Sequence, residues 1–304
     1  MSLTLDSPIK APAFGSLSRR RRITDSTATV LITLSVLIAL VPLLWVLYSV
    51  VSKGIAVVLD PTWWTHSQSG MTAFAAGGGA YHALVGTVLQ GLVAAVISIP
   101  IGVLAGIYLV EYGAGTRLGR ITTFMVDILT GVPSIVAALF IYALWVATLG
   151  FQRSGIAVAL ALVLLMIPVI VRATEEMLRI VPMDLREASY ALGVSKWKTI
   201  VRIVVPTALS GIVTGVMLAL ARVMGETAPL LILVGYSQAM NFNIFGGFMG
   251  SLPGMMYDQT SAGAGANSVP TDRLWGAALT LIVLIALINI GARLLARAFA
   301  PKKV

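Results

Sequence analysis

Two arginine–glutamate groupings stand inside apolar stretches of this 304-residue chain. Arg222-Val223-Met224-Gly225-Glu226 spaces a guanidinium and a carboxylate four apart, which on a helix puts both on one face. Arg172-Ala173-Thr174-Glu175 spaces a second pair three apart, with Glu176 next. Ionisable groups in a membrane-length apolar run cost about 2.5–3.5 kcal/mol each on insertion scales and usually line a bundle interior or a cavity. A guanidinium presents a planar fork of donors suited to phosphate-type oxyanions. Arg222 and Glu226 are either a self-neutralising pair that assists insertion or a cation held by its counter-charge until an anion arrives; the mid-span position favours the second. Arg172 is either one more basic residue at a span end or part of the same path. Asp127 precedes Thr130-Gly131-Val132-Pro133-Ser134, where Gly131 and Pro133 loosen a helix and shape either a pathway or a kink. Glu111, near Arg117, reads as interfacial and is assigned no role.

Other chemistry is hard to build. Gly193-Val194-Ser195-Lys196 lacks the leading Gly and the following Ser/Thr of a phosphate-cradling loop, and no strand precedes it. No nucleophile–base pair is evident. With no cysteine there is no disulfide or thiolate metal site, and His66 and His82 suit interfacial hydrogen bonding better than a metal. A catalytic subunit is not expected, nor a metal or cofactor bound by this chain.

The elements that carry these residues are membrane helices. The chain is 58% hydrophobic and 11% charged, against about 25% charged in soluble domains, and its mean hydropathy is +0.94. It reads as an all-α polytopic membrane protein. Stretches of the roughly 20 apolar residues a span needs fall at 29–51, 82–110, 123–149, 155–172, 207–235 and 274–297. The second and fifth are long enough to tilt or break, at Pro100 and Pro229. With both termini in the cytoplasm, only Lys53, Arg153 and Arg273 of the 21 basic residues fall outside and Arg222 lies within a span; the reverse orientation violates the positive-inside bias. That distribution, not the net charge of +9, argues for a membrane partner and against nucleic acid.

Residues 1–28 form a Ser/Pro-rich, then basic tail, expected to be disordered, with Lys10 and Arg19–Arg22 inside; 29–81 hold the first span and an outer loop; 82–298 hold five spans; 299–304, with Lys302 and Lys303, close the chain inside. Trp63 and Trp64 suit an aromatic belt. In the outer loop 236–272, the apolar part from Asn243 to Tyr257 is expected as a short helix on the membrane face, followed by a mobile Gly/Ala/Ser/Asn tract. Gly102-x-x-x-Gly106 and Gly211-x-x-x-Gly215 are candidate helix-contact faces.

The loop 173–206 is too polar for lipid and too regular for a plain connection. Glu187 to Ala191 reads as a short helix, Gly193 as its left-handed cap, and Lys196 to Arg202 as a second helix stopped by Pro206. Glu187-Ala188-Ser189, Gly193, Ile203 and Pro206 resemble the ATPase-coupling signature of permease subunits of binding-protein-dependent ABC importers, with Ser189 where Ala is usual and Val205 where Leu is usual. Ala221-Arg222 through Gly225-Glu226-Thr227-Ala228-Pro229, Val169 to Glu175, and Gly131-Val132-Pro133-Ser134 are similar to phosphate permeases of the A type. The resemblance spans about residues 80–297. It implies a type I importer permease fold in a bacterial cytoplasmic membrane, translocating inorganic phosphate, with Arg172, Glu175 and Arg222 on the substrate path. Glu226 joins them from its spacing to Arg222. It also implies a sister permease, two ATP-binding cassette subunits that hold ATP and Mg, and an extracytoplasmic phosphate-binding protein. Another oxyanion, sulfate or molybdate, is the alternative cargo. A secondary anion transporter predicts inverted repeats, and none is evident in the sequence.

Overall fold

The computed structural model describes residues 18–263, 265 and 268–299, so the expectations for residues 1–17, for 264, 266 and 267 of the outer tract, and for Lys302 and Lys303 lie outside the described residues. All regular elements among the described residues are helical. In order they are α1 (Arg19–Val58), α2 (Pro61–Thr65), α3 (Tyr81–Glu111), α4 (Arg117–Gly131), α5 (Ser134–Ile141, continued by a π-helical run Tyr142–Thr148) and α6 (Gly155–Ile180). Then come α7 (Met183–Ala191), α8 (Lys196–Thr199, continued by a π-helical turn Ile200–Val204), α9 (Val205–Met224), α10 (Ala228–Leu233), α11 (Leu252–Ser261) and α12 (Val269–Phe299). Five helical runs are long and apolar enough to cross a membrane, and the bent pair α4–α5 completes the expected six.

Residues up to Ser49 form one unit and those from Val50 a second. In the first, α1 begins at Arg19, so residues 19–28 are helical rather than a disordered tail. Thr24, Thr27, Thr29 and Thr33 each turn the hydroxyl back to the carbonyl four residues earlier, which satisfies these polar groups along an apolar rod.

In the second unit, α3 and α9 flank α6. A Cβ on Gly102 would come within 2.7 Å of Ile170, and one on Gly106 within 2.7 Å of Thr174. On the other side Gly211 abuts Met177, and a Cβ on Gly215 would lie 2.3 Å from that of Ala173. Both glycine pairs are therefore contact faces against one central helix, where van der Waals packing replaces the hydrophobic drive that lipid removes. Small residues continue this core, with Ala94, Ala138, Ala157, Ala161 and Ala219 buried around Met166 and Ile170.

The expected third span is not one helix. Pro133 cannot donate and disfavours helical ψ at its predecessor, so Val132 sits at ψ 124° and α4 meets α5 at a bend of 106°. The fourth span runs on to Ile180, well past the expected end at Arg172. Pro100 does not break α3. The fifth span breaks at Gly225–Thr227, before Pro229, which takes the first turn of α10, where its missing N–H costs nothing.

At the end of the core that holds Tyr81, the loop 236–251 folds inward. Met249, Leu252 and Met255 are buried, the Leu252 N–H donates to Thr87 Oγ1 at 2.8 Å, and α11 packs on α12. The expected surface helix from Asn243 to Tyr257 is thus two parts: a non-helical stretch to Phe248 with Phe245 and Phe248 exposed, and a core segment from Met249 that is helical from Leu252. Trp63 is likewise a core residue, not a belt residue, with Nε1 donating to Thr280 Oγ1 at 2.8 Å. His82 is buried with Nε2 2.8 Å from the Tyr236 hydroxyl, which donates to Gln68. Burial raises the Tyr236 phenol far above its ordinary range, so it stays a neutral donor. Arg273 grips the carbonyls of Ala73, Ala75 and Gly77.

Candidate functional site

Because α6 continues to Ile180, Arg172, Glu175 and Arg179 are spaced three and four apart along one helical stripe. Arg172 Nη1 donates to Glu175 Oε2 at 2.7 Å, and Arg179 Nη2 donates to Glu175 Oε1 at 2.5 Å. The second Arg172 amine pairs with Asp127 of α4, forty-five residues away. The two grips differ. The Glu175 side chain is 8% exposed and that of Asp127 60%. An exposed ion pair is worth about 0–1 kcal/mol and exchanges readily; a carboxylate that is nearly buried holds its partner more firmly. Asp127, Glu175 and Arg179 line an open cleft of about 660 Å³ together with Thr116, Arg120 and Thr123. Arg172, paired with two of these lining residues, has one fixed neighbour and one replaceable one.

Arg222 and Glu226 are not brought together. The helix ends at Met224, so Glu226 lies beyond the cap residue Gly225 and off the helical face that carries Arg222. Pro229 sets this end, because a helix through it would drive its ring into the carbonyl of Gly225. Among the described residues neither forms an ion pair. Since Gly215 faces Ala173 in the antiparallel α6–α9 contact, Arg222 lies about 10 Å further along the axis than the Arg172 level, at 1.5 Å per residue.

The hairpin 183–204 follows the expected helix–turn–helix. Gly193 has φ +75°, and its N–H donates to the carbonyl of Tyr190 while that of Val194 reaches Ser189. Only glycine takes this backbone without strain. Ser189 is buried, its Oγ 2.8 Å from Thr199 Oγ1, so the departure from alanine is a hydrogen bond that ties the two limbs. Glu187, Ala188, Leu192 and Trp197 face outward, Leu192 at 83% exposure. Pro206 does not stop the second limb. The π-helical turn Ile200–Val204 changes the hydrogen-bond ring just ahead of Pro206, and the helix runs from Lys196 to Met224. Ile203 lines a cleft of about 440 Å³ with Gly193, Lys198 and Arg202.

The hairpin is clasped to the core by residues that local pattern did not reveal. Arg186 donates to Glu111 Oε1 at 2.9 Å and to the carbonyls of Val181 and Leu178 at 2.7 and 3.0 Å. Lys196 Nζ reaches the Glu111 carbonyl and lies 4.7 Å from the centre of the Tyr112 ring. Glu111 therefore serves Arg186 rather than Arg117; its side chain is 6% exposed. The one available signal was an acid at the end of a span in a region otherwise basic.

In sequence and in fold the chain is similar to known proteins. Residues 98–304 match the family described as binding-protein-dependent transport system inner membrane component. The chain is 56% identical over 291 residues to phosphate transport system permease protein PstA 1 of Mycobacterium tuberculosis (strain CDC 1551 / Oshkosh), covering 96% of this chain and 94% of the relative. It is 57% identical over 287 residues to phosphate transport system permease protein PstA of Mycobacterium leprae (strain TN), covering 94% and 93%. In fold it is similar to a chain of a bacterial ABC transporter involved in the import of the acidic polysaccharide alginate, with a TM-score of 0.62 at 13% identity over 91% of this chain and 99% of that one. It is also similar to a chain of the MetNI methionine ABC transporter in inward-facing form, with a TM-score of 0.57 at 23% identity over 73% and 95%.

Proposed function

Because the chain belongs to the family of binding-protein-dependent transport system inner membrane components, we infer that it is the membrane-spanning permease subunit of a phosphate importer. More than half of its residues match mycobacterial phosphate permeases along nearly the whole chain, and this identity carries the assignment. Its place is an inner membrane.

We further propose that it works beside a sister permease, above two ATP-binding cassette subunits and below an extracytoplasmic phosphate-binding protein. ATP and Mg belong to the cassette subunits, and the absence of a phosphate-cradling loop in this sequence supports that division. The hairpin end lies in the cytoplasm, in keeping with its basic residues. There Glu187, Ala188, Ser189, Gly193, Ile203 and Pro206 shape the element that seats on an ATPase. Leu192 and Trp197 give it an exposed apolar surface for that contact. Closure of the ATPases moves the hairpin as a rigid body and switches access from one side to the other.

Arg172, Glu175 and Arg222 serve the substrate path; Glu226 lies off the helical face of Arg222, so the spacing that joined it to them no longer holds. Phosphate meets Arg222 and then Arg172, two guanidinium groups about 10 Å apart in depth along the helices. At Arg172 the anion displaces Asp127, whose exposed grip is weak, while Glu175 keeps the guanidinium in place. A weak competing carboxylate also keeps the site from holding its cargo too tightly, which conduction requires.

Uptake by vesicles that carry the assembled complex tests the assignment. Phosphate uptake is expected only with ATP and the binding protein, and excess sulfate or molybdate should leave it unchanged. Uptake driven by a proton gradient alone, or equal competition by sulfate, would overturn it.

A further inference from the structure

We propose that Glu111 is a positioning residue that binds both limbs of the hairpin to α3 and so makes α3 a rod carrying hairpin movement across the molecule. The inference rests on the reading of the hairpin as the ATPase contact. Its basis is the convergence of three elements at one residue. The first limb arrives through Arg186 on the Glu111 carboxylate and the second through Lys196 on the Glu111 main-chain carbonyl, so both end at the last turn of α3 and the side chain itself holds the first limb. The Arg186 and Glu111 side chains are 9% and 6% exposed. A pair buried this deeply is held by all of its contacts together, and loss of one partner leaves the other charge unpaired. The hairpin is joined to α6 and α9 by the chain itself. It is joined to α3 by this clasp, eighty-five and seventy-five residues away in sequence.

The rest of α3 is built to transmit. It has no break at Pro100, and its glycines press it against α6. The far end is fastened as firmly as the near one. Thr87 accepts from the Leu252 N–H, His82 meets Tyr236, and a Cβ on Gly86 would lie 1.9 Å from the Gly250 carbonyl oxygen. The fastened partner is the inward-folded loop 236–252. Displacement at Gly193 thus reaches that loop along α3 without crossing a hinge. The helix α6 also reaches it, with the Ile156 N–H donating to the Ile244 carbonyl at 2.8 Å, but meets the hairpin through the extended Val181–Pro182 link, and the routes through α4–α5 and α9–α10 each contain a break. Spatial continuity alone does not establish coupling, so the test measures coupling directly.

The reconstituted complex with its binding protein is compared for the wild type, Glu111→Gln and Glu111→Asp, reading phosphate moved per ATP hydrolysed. A structural defect lowers the amount of complex but not this ratio. Glu111→Gln is expected to lower the ratio about five-fold or more, the scale of a coupling free energy between sites, with hydrolysis per complex retained and Glu111→Asp partly restoring it. An unchanged ratio in Glu111→Gln overturns the inference. Should that variant fail to assemble, Lys196→Gln, at an exposed residue, decides in the same way. Absence of ATP-driven phosphate movement in the wild type would instead sink the transport reading, and the inference with it.

Discussion

Arg172 shows how one guanidinium is both fixed and available. Asp127→Asn removes the exposed partner and is expected to change stability by less than about 1 kcal/mol, with uptake slowed but not lost, because the anion must then leave Arg172 with no competitor to replace it. Glu175→Gln weakens the nearly buried partner of two arginines and is expected to cost about 1.5–3 kcal/mol, the range for hydrogen bonds to charged groups, with uptake lost. Thermal unfolding of the solubilised complex and vesicle uptake separate the two; equal effects would erase the distinction between the grips. Arg172→Ala and Arg222→Ala should each abolish uptake in complexes that still assemble. Ser189→Ala restores the residue usual at that position and removes the bond to Thr199, whose hydroxyl keeps the Ser195 carbonyl. A loss near the low end of about 0.5–1.5 kcal/mol in melting, with transport intact, is expected.

At the scale of elements, the turn at Gly193 is the sharpest constraint. Nothing crowds a Cβ there, so the objection to Gly193→Val is the backbone alone, about 1–2 kcal/mol for a left-handed L-residue. That variant should bind the ATPase weakly in co-purification, and Gly193→Asn, which tolerates this conformation, should bind better. Gly215→Leu acts by crowding instead: its side chain enters Ala173, and assembly rather than coupling should fail. The turn was legible because glycine at a helix end has one common use. The glycine pairs were legible as contact faces, since their spacing repeats along one side of a helix. Helix ends were not. Pro206 looked like a stop because the sequence does not announce a π-helical turn, and Arg172 looked terminal because its neutralising partners sit on the same stripe and on α4. The Arg222–Glu226 pairing failed because Pro229 acts on the chain ahead of it. Glu111 could not be placed at all, since its partners are remote in sequence.

At the scale of the molecule, the natural absence of cysteine makes topology directly measurable. Phe74→Cys and Ala114→Cys place single thiols on exposed positions at the two ends of α3. An impermeant maleimide applied to intact cells should label the first and spare the second until the membrane is opened; the opposite result would invert the orientation. The same approach, with paired labels on Gly193 and on the loop 236–252, would follow both ends of α3 through an ATP cycle.

The π-helical turn between Thr199 and Val205 has a consequence for which changes of length the chain can bear. A helix with one wide turn carries one more residue than its ordinary counterpart over the same rise. Deleting Val201 would let the turn relax to an ordinary one and leave everything beyond it facing as before, so that Arg222 keeps its neighbours; a residue gained or lost within the regular helix beyond Val205 would instead swing Arg222 by roughly 100°. Relatives should therefore hold the count between Val205 and Arg222 constant even where they differ in nearly every residue, and bear the loss of one residue at the wide turn, with an ordinary turn in its place, or changes of length around Gly263.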